Sequence, residues 1–196
     1  RRDARDEWLG VSVSGSGKVV ALMKEPRSVS TGSRAAKESG DIETPERAKN
    51  FHNTLARLLQ LRTLPIINEN DTVATQELGI GDNDTLAAIV ARTIRADLLI
   101  LFSDIDGLYT ADPHSDPAAR LIPVVERLTP EIERLACGAG SKFGTGGMQT
   151  KLHAAHIATE AGVPMVIANG ARPAALYDLM DGRPVDTKFL AQEAEA

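Results

Sequence analysis

The chain has 196 residues, a net charge of −5 and an isoelectric point of about 5.4, so we expect one globular domain that does not bind nucleic acid. No apolar run approaches the roughly 18 residues of a membrane span, and the first ten residues, RRDARDEWLG, lack the apolar segment of a signal peptide. The single cysteine, Cys137, excludes an internal disulfide framework. We therefore expect a cytoplasmic protein without membrane contacts.

The charge is distributed unevenly along the chain. Residues 1–40 carry eight basic and five acidic residues, whereas residues 41–196 carry 14 basic and 22 acidic residues. The first segment is also rich in serine and glycine, as in VSVSGSGKVV. This change in composition predicts a boundary near Gly40.

Helical and strand patterns alternate along the rest of the chain. Thr44 and Pro45 are typical of a helix start, because a threonine side chain can cap a helix and proline needs no hydrogen bond there. Apolar residues then recur at helical spacing, and short apolar runs follow. In chain order, the pattern predicts a possible strand at 18–24, a helix from Pro45, a buried strand at 64–67, a helix after 81–84, a buried strand at 97–103, a weaker strand at 120–125, a short helix at 130–136, a helix from about Met148 to Ala161, a strand at 164–170 and a helix at 173–180.

This alternation predicts an α/β fold. Apolar strands that alternate with helices are typical of a mostly parallel sheet with helices on both faces. Ligands of such folds bind beyond the carboxyl ends of the strands. The polar segments NENDTV, SDIDG and NGARP all follow predicted strands, so we expect them to meet at one edge of the sheet.

The segment KFGTGGMQTK (142–151) is a candidate phosphate site. Its three glycines can turn backbone N–H groups towards an anion at the start of the next helix. Thr145 and Thr150 add hydroxyl groups, and Lys151 adds a mobile positive charge. A flexible connector that leads into a surface helix fits the same pattern.

Two polar segments, INENDTV (67–73) and GDND (81–84), are a candidate substrate site. Carboxylates there can accept a substrate ammonium group or orient a lysine, and amides can hold a substrate carboxylate. Turn formation and helix capping explain the same residues equally well. The next segment, SDIDG (103–107), can meet a ribose or an adenine edge, or cap the turn that follows the strand.

The histidines predict no metal site. His153 and His156 are three residues apart on a predicted helix, but the sequence offers no clear third ligand. Structural or surface roles are the better interpretation for both. Cys137 has no convincing partner and is interpreted as a small packing residue.

Four segments, taken together, indicate a protein family far more specifically than any one of them does. INENDTV (67–73), GDNDTLAAIVA (81–91), SDIDGLYTADP (103–113) and GTGGMQTK (144–151) occur in this order and at these spacings. The set resembles the glutamate 5-kinases (gamma-glutamyl kinases) of the amino acid kinase family. The resemblance covers about residues 41–190, which leaves an atypical head (1–40) and a short tail (191–196).

The resemblance implies a three-layer α/β/α fold and transfer of the ATP γ-phosphoryl group to the side-chain carboxylate of L-glutamate. This reaction is the first step of proline biosynthesis, so the resemblance also implies feedback inhibition by proline. By match of motif, Asp84 would orient the catalytic lysine and Lys151 would contact the γ-phosphoryl group. The remaining implied site residues are Asn68, Asp71 and Asn83 for glutamate, and Ser103, Asp104, Thr145, Gly146, Gly147, Met148, Gln149 and Thr150, together with Lys151, for the nucleotide.

The chemistry of this reaction fits these residue types. Phosphoryl transfer requires two anions to be held in line, and the protein supplies mainly position and positive charge. A carboxylate nucleophile is already ionised at neutral pH, so no strong general base is needed. A lysine and Mg²⁺ can neutralise the phosphoryl oxygens, and Asp84 then acts as an organiser. Relatives of this fold often associate, so we expect a homo-oligomer.

The head departs from the family pattern. Family members begin with a K-[LVI]-G-[ST]-S loop, whose lysine is a second phosphate ligand, and continue with a V-[ST]-S-G-A loop. Neither loop is intact in residues 1–40. A catalytically impaired nucleotide-binding or regulatory module therefore stays open as an alternative. Another family member, such as an acetylglutamate kinase or aspartokinase, is the nearest enzyme alternative. The sequence ends where many relatives continue into a small PUA domain, so we expect that domain to be absent.

Overall fold

The computed structural model describes residues 9–14, 18–23, 45–61, 63–68, 83–136 and 145–192. The seven strands in these ranges are β1 Leu9–Ser14, β2 Lys18–Met23, β3 Ile66–Asn68, β4 Leu98–Ser103, β5 Val124–Val125, β6 Met165–Asn169 and β7 Thr187–Phe189. The helices in these ranges are α1 Pro45–Gln60, α2 Asn83–Ile94, α3 Pro130–Ala136, α4 Thr145–Glu160 and α5 Ala175–Met180. Among them, no helix has both the length and the apolar character needed to cross a membrane.

The strands form one sheet in the order β3-β1-β2-β4-β6-β7-β5. Four of the seven strands, β1, β3, β4 and β6, run in one direction, since β1 is parallel to β3, β4 is parallel to β6, and β2 lies antiparallel between β1 and β4. In the parallel pair β4–β6, Ser103 lies beside Asn169. The polar loops that follow these two strands therefore leave the sheet at neighbouring points.

Strand β4 is buried on both faces. Leu99 and Leu101 lie in a core with residues of α1, α2 and α4. Ile100 and Phe102 lie in a second core, which α5 covers from the opposite side. Helices thus cover both faces of the sheet, and the predicted three-layer α/β/α class is confirmed.

Alanines form the buried sides of α2 and α4. Both helices contribute them to the same core, and each of these residues is fully buried: Ala87, Ala88, Ala91, Ala154, Ala155 and Ala158. Small side chains allow two helix backbones to approach closely. The approach brings the start of α2 beside the first turns of α4.

The predicted elements agree well with the structure, with three differences. The interpretation of 64–67 as a buried strand is wrong, because the strand begins at Ile66, whose side chain is 72% exposed on the edge strand β3. Helix α4 begins at Thr145, three residues before the predicted start. Strands β1 and β7 were not predicted. The possible strand at 18–24 is present as β2, so β1 and β2 place residues of the head between β3 and β4.

Candidate active site

An ion pair joins the start of α2 to the second turn of α4. Lys151 Nζ lies 3.0 Å from Asp84 Oδ2, and the two side chains are only 12% and 14% exposed. The Thr150 hydroxyl donates to the same carboxylate oxygen at 3.1 Å. One carboxylate of α2 therefore fixes two neighbouring side chains of α4. Asp84 also lies in the first turn of its helix, where the dipole favours a negative charge.

The same two side chains are anchored to the glycine turn that opens α4. Gly147 O accepts hydrogen bonds from Thr150 Oγ1 at 3.0 Å and from Lys151 Nζ at 3.4 Å. Among the described residues, and apart from the backbone of its own helix, a Cβ atom at Gly147 would meet no atom within 4 Å. The first turn of α4 carries no acidic residue. A lysine, a hydroxyl group and the first backbone N–H groups of a 16-residue helix thus lie together, which suits an anion.

Asn83, the first residue of α2, carries a buried acceptor. Its Oδ1 atom has no hydrogen-bond partner within the described part of the chain. A buried carboxamide oxygen without a partner costs free energy, so such atoms are expected to be satisfied by water or by a ligand. Asn83 directly precedes Asp84, so both residues belong to the first turn of α2.

A second polar cluster lies at the carboxyl ends of β4 and β6. Ser103 is buried, and its hydroxyl donates to Asp104 Oδ1 at 3.0 Å. Ser103 O accepts a hydrogen bond from Gly170 N at 2.7 Å, which links the two loops through their backbones. Asp104 is exposed. The site therefore offers a carboxylate at the surface and a hydroxyl group beneath it.

Asp106 links the same two loops through its side chain. Its Oδ1 accepts from Asn169 Nδ2 at 2.8 Å, and its Oδ2 accepts from the Tyr109 hydroxyl at 3.1 Å. The Asn169 hydrogen bond is the main reason that the pKa of Asp106 lies below its usual value. Burial, together with the bond to Asp106, raises the pKa of Tyr109.

Arg172 and Asp186 extend this cluster. Arg172 donates to Asp186 Oδ1 at 2.6 Å and lies 3.8 Å from Asp106 Oδ1. Asp186 Oδ2 also accepts from the backbone N–H of Asn169 at 3.0 Å. The bond to Asp186 raises the pKa of Arg172. The loop after β6 is thus held by two carboxylates from different parts of the chain.

The residues predicted from the sequence lie in two groups. Asn83, Asp84, Thr150 and Lys151 come together, whereas Ser103 and Asp104 form the second group at the end of β4. Met148 packs against the core and Gln149 is exposed on α4. Asp71 lies outside the described residues, and Asn68, Thr145 and Gly146 are described by their backbone positions in β3 and α4. The roles of all these residues stay predictions.

Sequence reasoning missed Asp106, Asn169, Arg172 and Asp186. The signal was present in part, since SDIDG and NGARP were both expected at the same sheet edge. Nothing in the sequence indicated that Asp186, which precedes the unpredicted β7, would reach this edge. Across the described ranges, no three His, Cys, Asp or Glu side chains lie together as a group able to hold a metal ion.

Comparisons with known proteins identify the family. Residues 13–169 match the Amino acid kinase family. Glutamate 5-kinase of Deinococcus radiodurans is 55% identical over 77% of this chain and 42% of its own length. Glutamate 5-kinase of Clostridium tetani is 52% identical over 77% of this chain and 57% of its own length. The chain thus spans about half the length of these relatives.

Solved structures support the fold at lower identity. N-acetylglutamate synthase from Neisseria gonorrhoeae superimposes with a TM-score of 0.53 at 23% identity, over 74% of this chain and 31% of its own. Isopentenyl phosphate kinase gives a TM-score of 0.51 at 23% identity, over 69% of this chain and 49% of its own. Since the family match covers most of the sequence, the chain belongs to the amino acid kinase family.

Proposed function

We propose that the chain forms the ATP- and glutamate-binding part of a glutamate 5-kinase, which transfers the γ-phosphoryl group of ATP to the side-chain carboxylate of L-glutamate. The observation that carries the proposal is the Asp84–Lys151 pair at the start of α4, with Thr150 bound to the same carboxylate. Relatives that are 55% and 52% identical are named glutamate 5-kinase. Within this proposal, residues 41–190 carry the site.

Lys151 would supply positive charge where it is needed during transfer. Its ammonium group is held within 3.0 Å of Asp84 Oδ2 and is largely shielded from water, so it need not be reorganised when the phosphates arrive. Three donors on an ammonium group allow it to keep Asp84 while another N–H points to a phosphoryl oxygen. Asp84 would therefore orient the lysine and take no proton.

Glutamate would approach from the side of Asn83. The unpartnered Asn83 Oδ1 can accept a hydrogen bond from the substrate ammonium group, which would satisfy an otherwise costly buried acceptor. The attacking carboxylate is ionised at neutral pH, so the site needs no general base. What remains for the protein is to hold the two anions in line.

The nucleotide would extend from α4 to the end of β4. The helix N-terminus and Thr150 would bind phosphates, and Ser103 and Asp104 would meet the ribose or the adenine edge. Mg²⁺ commonly binds substrate phosphates together with one or two carboxylates, and it would neutralise charge on those phosphates.

The direct test compares ADP release from Mg·ATP with and without L-glutamate, for the wild-type chain and for Lys151→Met. We expect kcat to fall by about 10²–10³-fold in the variant with little change in the glutamate KM, because the charge acts on the transition state. Lys49→Met removes an exposed lysine of α1 and is the control. N-acetylglutamate and aspartate, offered in place of glutamate, should give no turnover.

Two outcomes would contradict the proposal in different ways. A wild-type chain that binds ATP but releases no ADP with glutamate would contradict the kinase activity. A Lys151→Met variant in which only the glutamate KM rises would show that Lys151 is a uniform binding group.

Regulation, assembly and location belong to the same proposal. We expect L-proline to inhibit the glutamate-dependent reaction, the chain to form a homo-oligomer, and the protein to act in the cytoplasm. Adding L-proline to the assay tests the first expectation, and light scattering of the purified chain tests the second.

A further inference from the structure

Asp106 occupies a junction between the two loops that border the proposed nucleotide site. It follows β4 by three residues, and its carboxylate reaches the loop after β6 through Asn169 and approaches Arg172 there. Its other oxygen holds the Tyr109 hydroxyl of its own loop.

The Asn169 side chain is fixed at both of its ends. Its Nδ2 group donates to Asp106, and its Oδ1 accepts from the backbone N–H of Ala171 at 2.8 Å. The carboxamide therefore has one orientation that satisfies both partners. Loss of the Asp106 acceptor would free this side chain and the turn that it closes.

This junction lies directly beside the residues proposed to meet the nucleotide. Ser103 and Asn169 are register partners in the parallel pair of strands, and Ser103 O accepts from Gly170 N at 2.7 Å. Asp104 lies between Ser103 and the Asp106 junction along the chain. A shift of the loop at Asp106 must therefore be transmitted to the Asp104 carboxylate.

An isolated surface ion pair would not have this effect. Exposed pairs add little to stability, and the Arg172–Asp106 separation of 3.8 Å is too long for a strong hydrogen bond. The short contacts of Asp106 are those to Asn169, which lies in the other loop, and to Tyr109, which lies in its own loop. The contribution of Asp106 is thus to fix geometry more than to add charge.

We infer that Asp106 is a positioning residue for the nucleotide: by holding the loop after β4 against the loop after β6, it sets Ser103 and Asp104 in place to bind the ribose or adenine part of ATP. This inference rests on the proposed function. It predicts an effect on the nucleotide alone, because the Asp84–Lys151 pair and Asn83 belong to the other cluster.

The test compares Asp106→Ala, Asp106→Asn and a matched control. In Asp106→Ala the ATP KM should rise about three- to tenfold, the scale of one ordinary hydrogen bond, while kcat and the glutamate KM stay within about twofold of wild type. Asp106→Asn keeps an oxygen for Asn169 and an N–H group for the Tyr109 hydroxyl, so it should recover most of the ATP affinity.

Asp178→Ala is the matched control. Asp178 is 44% exposed and pairs with Arg183 at 2.7 Å, whereas Asp106 is 43% exposed and lies near Arg172. The control thus removes an arginine-paired carboxylate of nearly equal exposure that lies on α5 and is paired with Arg183 instead of Asn169 and Tyr109. Its ATP KM should match that of the wild type.

Direct ATP binding, measured by calorimetry, separates failure of this inference from failure of the proposed function. A wild-type chain that binds no ATP would overturn both. Wild-type and Asp106→Ala chains that bind ATP equally would overturn only the role of Asp106. Equal rises in the ATP and glutamate KM values, or a failure of Asp106→Asn to recover ATP affinity, would reveal a general structural role and would also overturn the inference about Asp106.

Should Asp106→Ala fail to fold, Tyr109→Phe removes one donor of the same junction and is expected to raise the ATP KM alone.

Discussion

Gly107 shows how one residue sets the path of the chain directly after Asp106. Its φ angle is +151°, a region that residues with a Cβ rarely adopt. A Cβ at this position would contact Thr187 Oγ1 and lie 2.8 Å from Thr187 Cβ. Thr187 is fully buried, and its hydroxyl accepts from Leu108 N and donates to Ile122 O. The turn after Asp106 is therefore packed directly onto β7.

We expect Gly107→Ala to lower the free energy of unfolding by more than Gly182→Ala. Gly182 also has a positive φ, +76°, but open space around it, so its substitution should cost only the backbone strain of about 1–2 kcal/mol. Gly107→Ala also overpacks the contact with Thr187, which typically lowers the free energy of unfolding by about a further 1–3 kcal/mol. Urea denaturation of both variants measures the difference. Equal losses would mean that the Thr187 contact is relieved by a small shift.

The charge of Asp106 should make part of the stability depend on pH. Its pKa in the folded chain lies below the usual value of 3.8, chiefly because of the Asn169 hydrogen bond, so the ionised form is the stabilised one. The contribution of ionised Asp106 to the free energy of unfolding is present in full above about pH 3.8 and is lost as the pH falls through the folded-state pKa. The Tm difference between wild type and Asp106→Asn should therefore narrow on acidification below that pH.

Thermal unfolding at a series of pH values from neutral to about 3 measures this difference. Asp178→Asn serves as the control, since it removes a carboxylate of similar exposure from a different cluster. A Tm difference that stays constant over the whole range would contradict a stabilising role for the ionised Asp106 side chain.

At the scale of elements, the close packing of α2 on α4 determines whether the Asp84–Lys151 pair can form. Ala155 is fully buried in the core that both helices share. Ala155→Leu inserts three extra carbon atoms there, which typically costs about 1–3 kcal/mol and pushes the helices apart. We expect a lower Tm and a lower kcat, because Lys151 moves away from Asp84.

Ala161→Leu is the control for this substitution. Ala161 directly follows α4 and is exposed, so a larger side chain there meets solvent. Its Tm and kcat should stay close to those of the wild type. An Ala155→Leu variant with lower stability but unchanged kcat would show that the ion pair tolerates the displacement of the helices.

The helices and strands that could be predicted are those whose apolar residues recur at helical spacing or form a continuous run. Helix α2 and strands β4 and β6 bury nearly every apolar residue, and their runs are unmistakable in the sequence. Strand β7 has only three residues, which are too few to form a recognisable pattern of apolar and polar residues. The predicted start of α4 was three residues too late because Gly146 and Gly147 have low helix propensity, which moves a boundary predicted from sequence towards Met148.

One part of the candidate site could be predicted from the sequence and another part could not. Motif similarity implied that Asp84 orients Lys151, and the two side chains lie 3.0 Å apart, although the catalytic role stays a prediction. The Asp106–Asn169 contact joins residues that are 63 positions apart. Only the pairing of β4 with β6 brings them together, and single-sequence patterns do not give strand order.

At the scale of the whole molecule, the position of β2 is the main unexpected feature. Residues 1–40 differ in composition from the rest, yet β2 pairs with the central strand β4 over five residue pairs, from Lys18–Phe102 to Leu22–Leu98. The family match also begins at residue 13. If this pairing is stable, the edge of β4 is covered by the first part of the chain and the sheet is one cooperative unit.

Native-state amide hydrogen exchange tests this arrangement. Strand β4 is paired on both sides and covered on both faces, so its amides should exchange only on global unfolding. Strands β3 and β5 lie at the two edges of the sheet and should exchange faster. If β2 belongs to the same cooperative unit, its amides that bond to β4 should be protected to nearly the same degree as those of β6. Fast exchange throughout β2, with β6 protected, would instead assign the cooperative core to β4, β6 and their helices, with the first 40 residues acting as a separate unit.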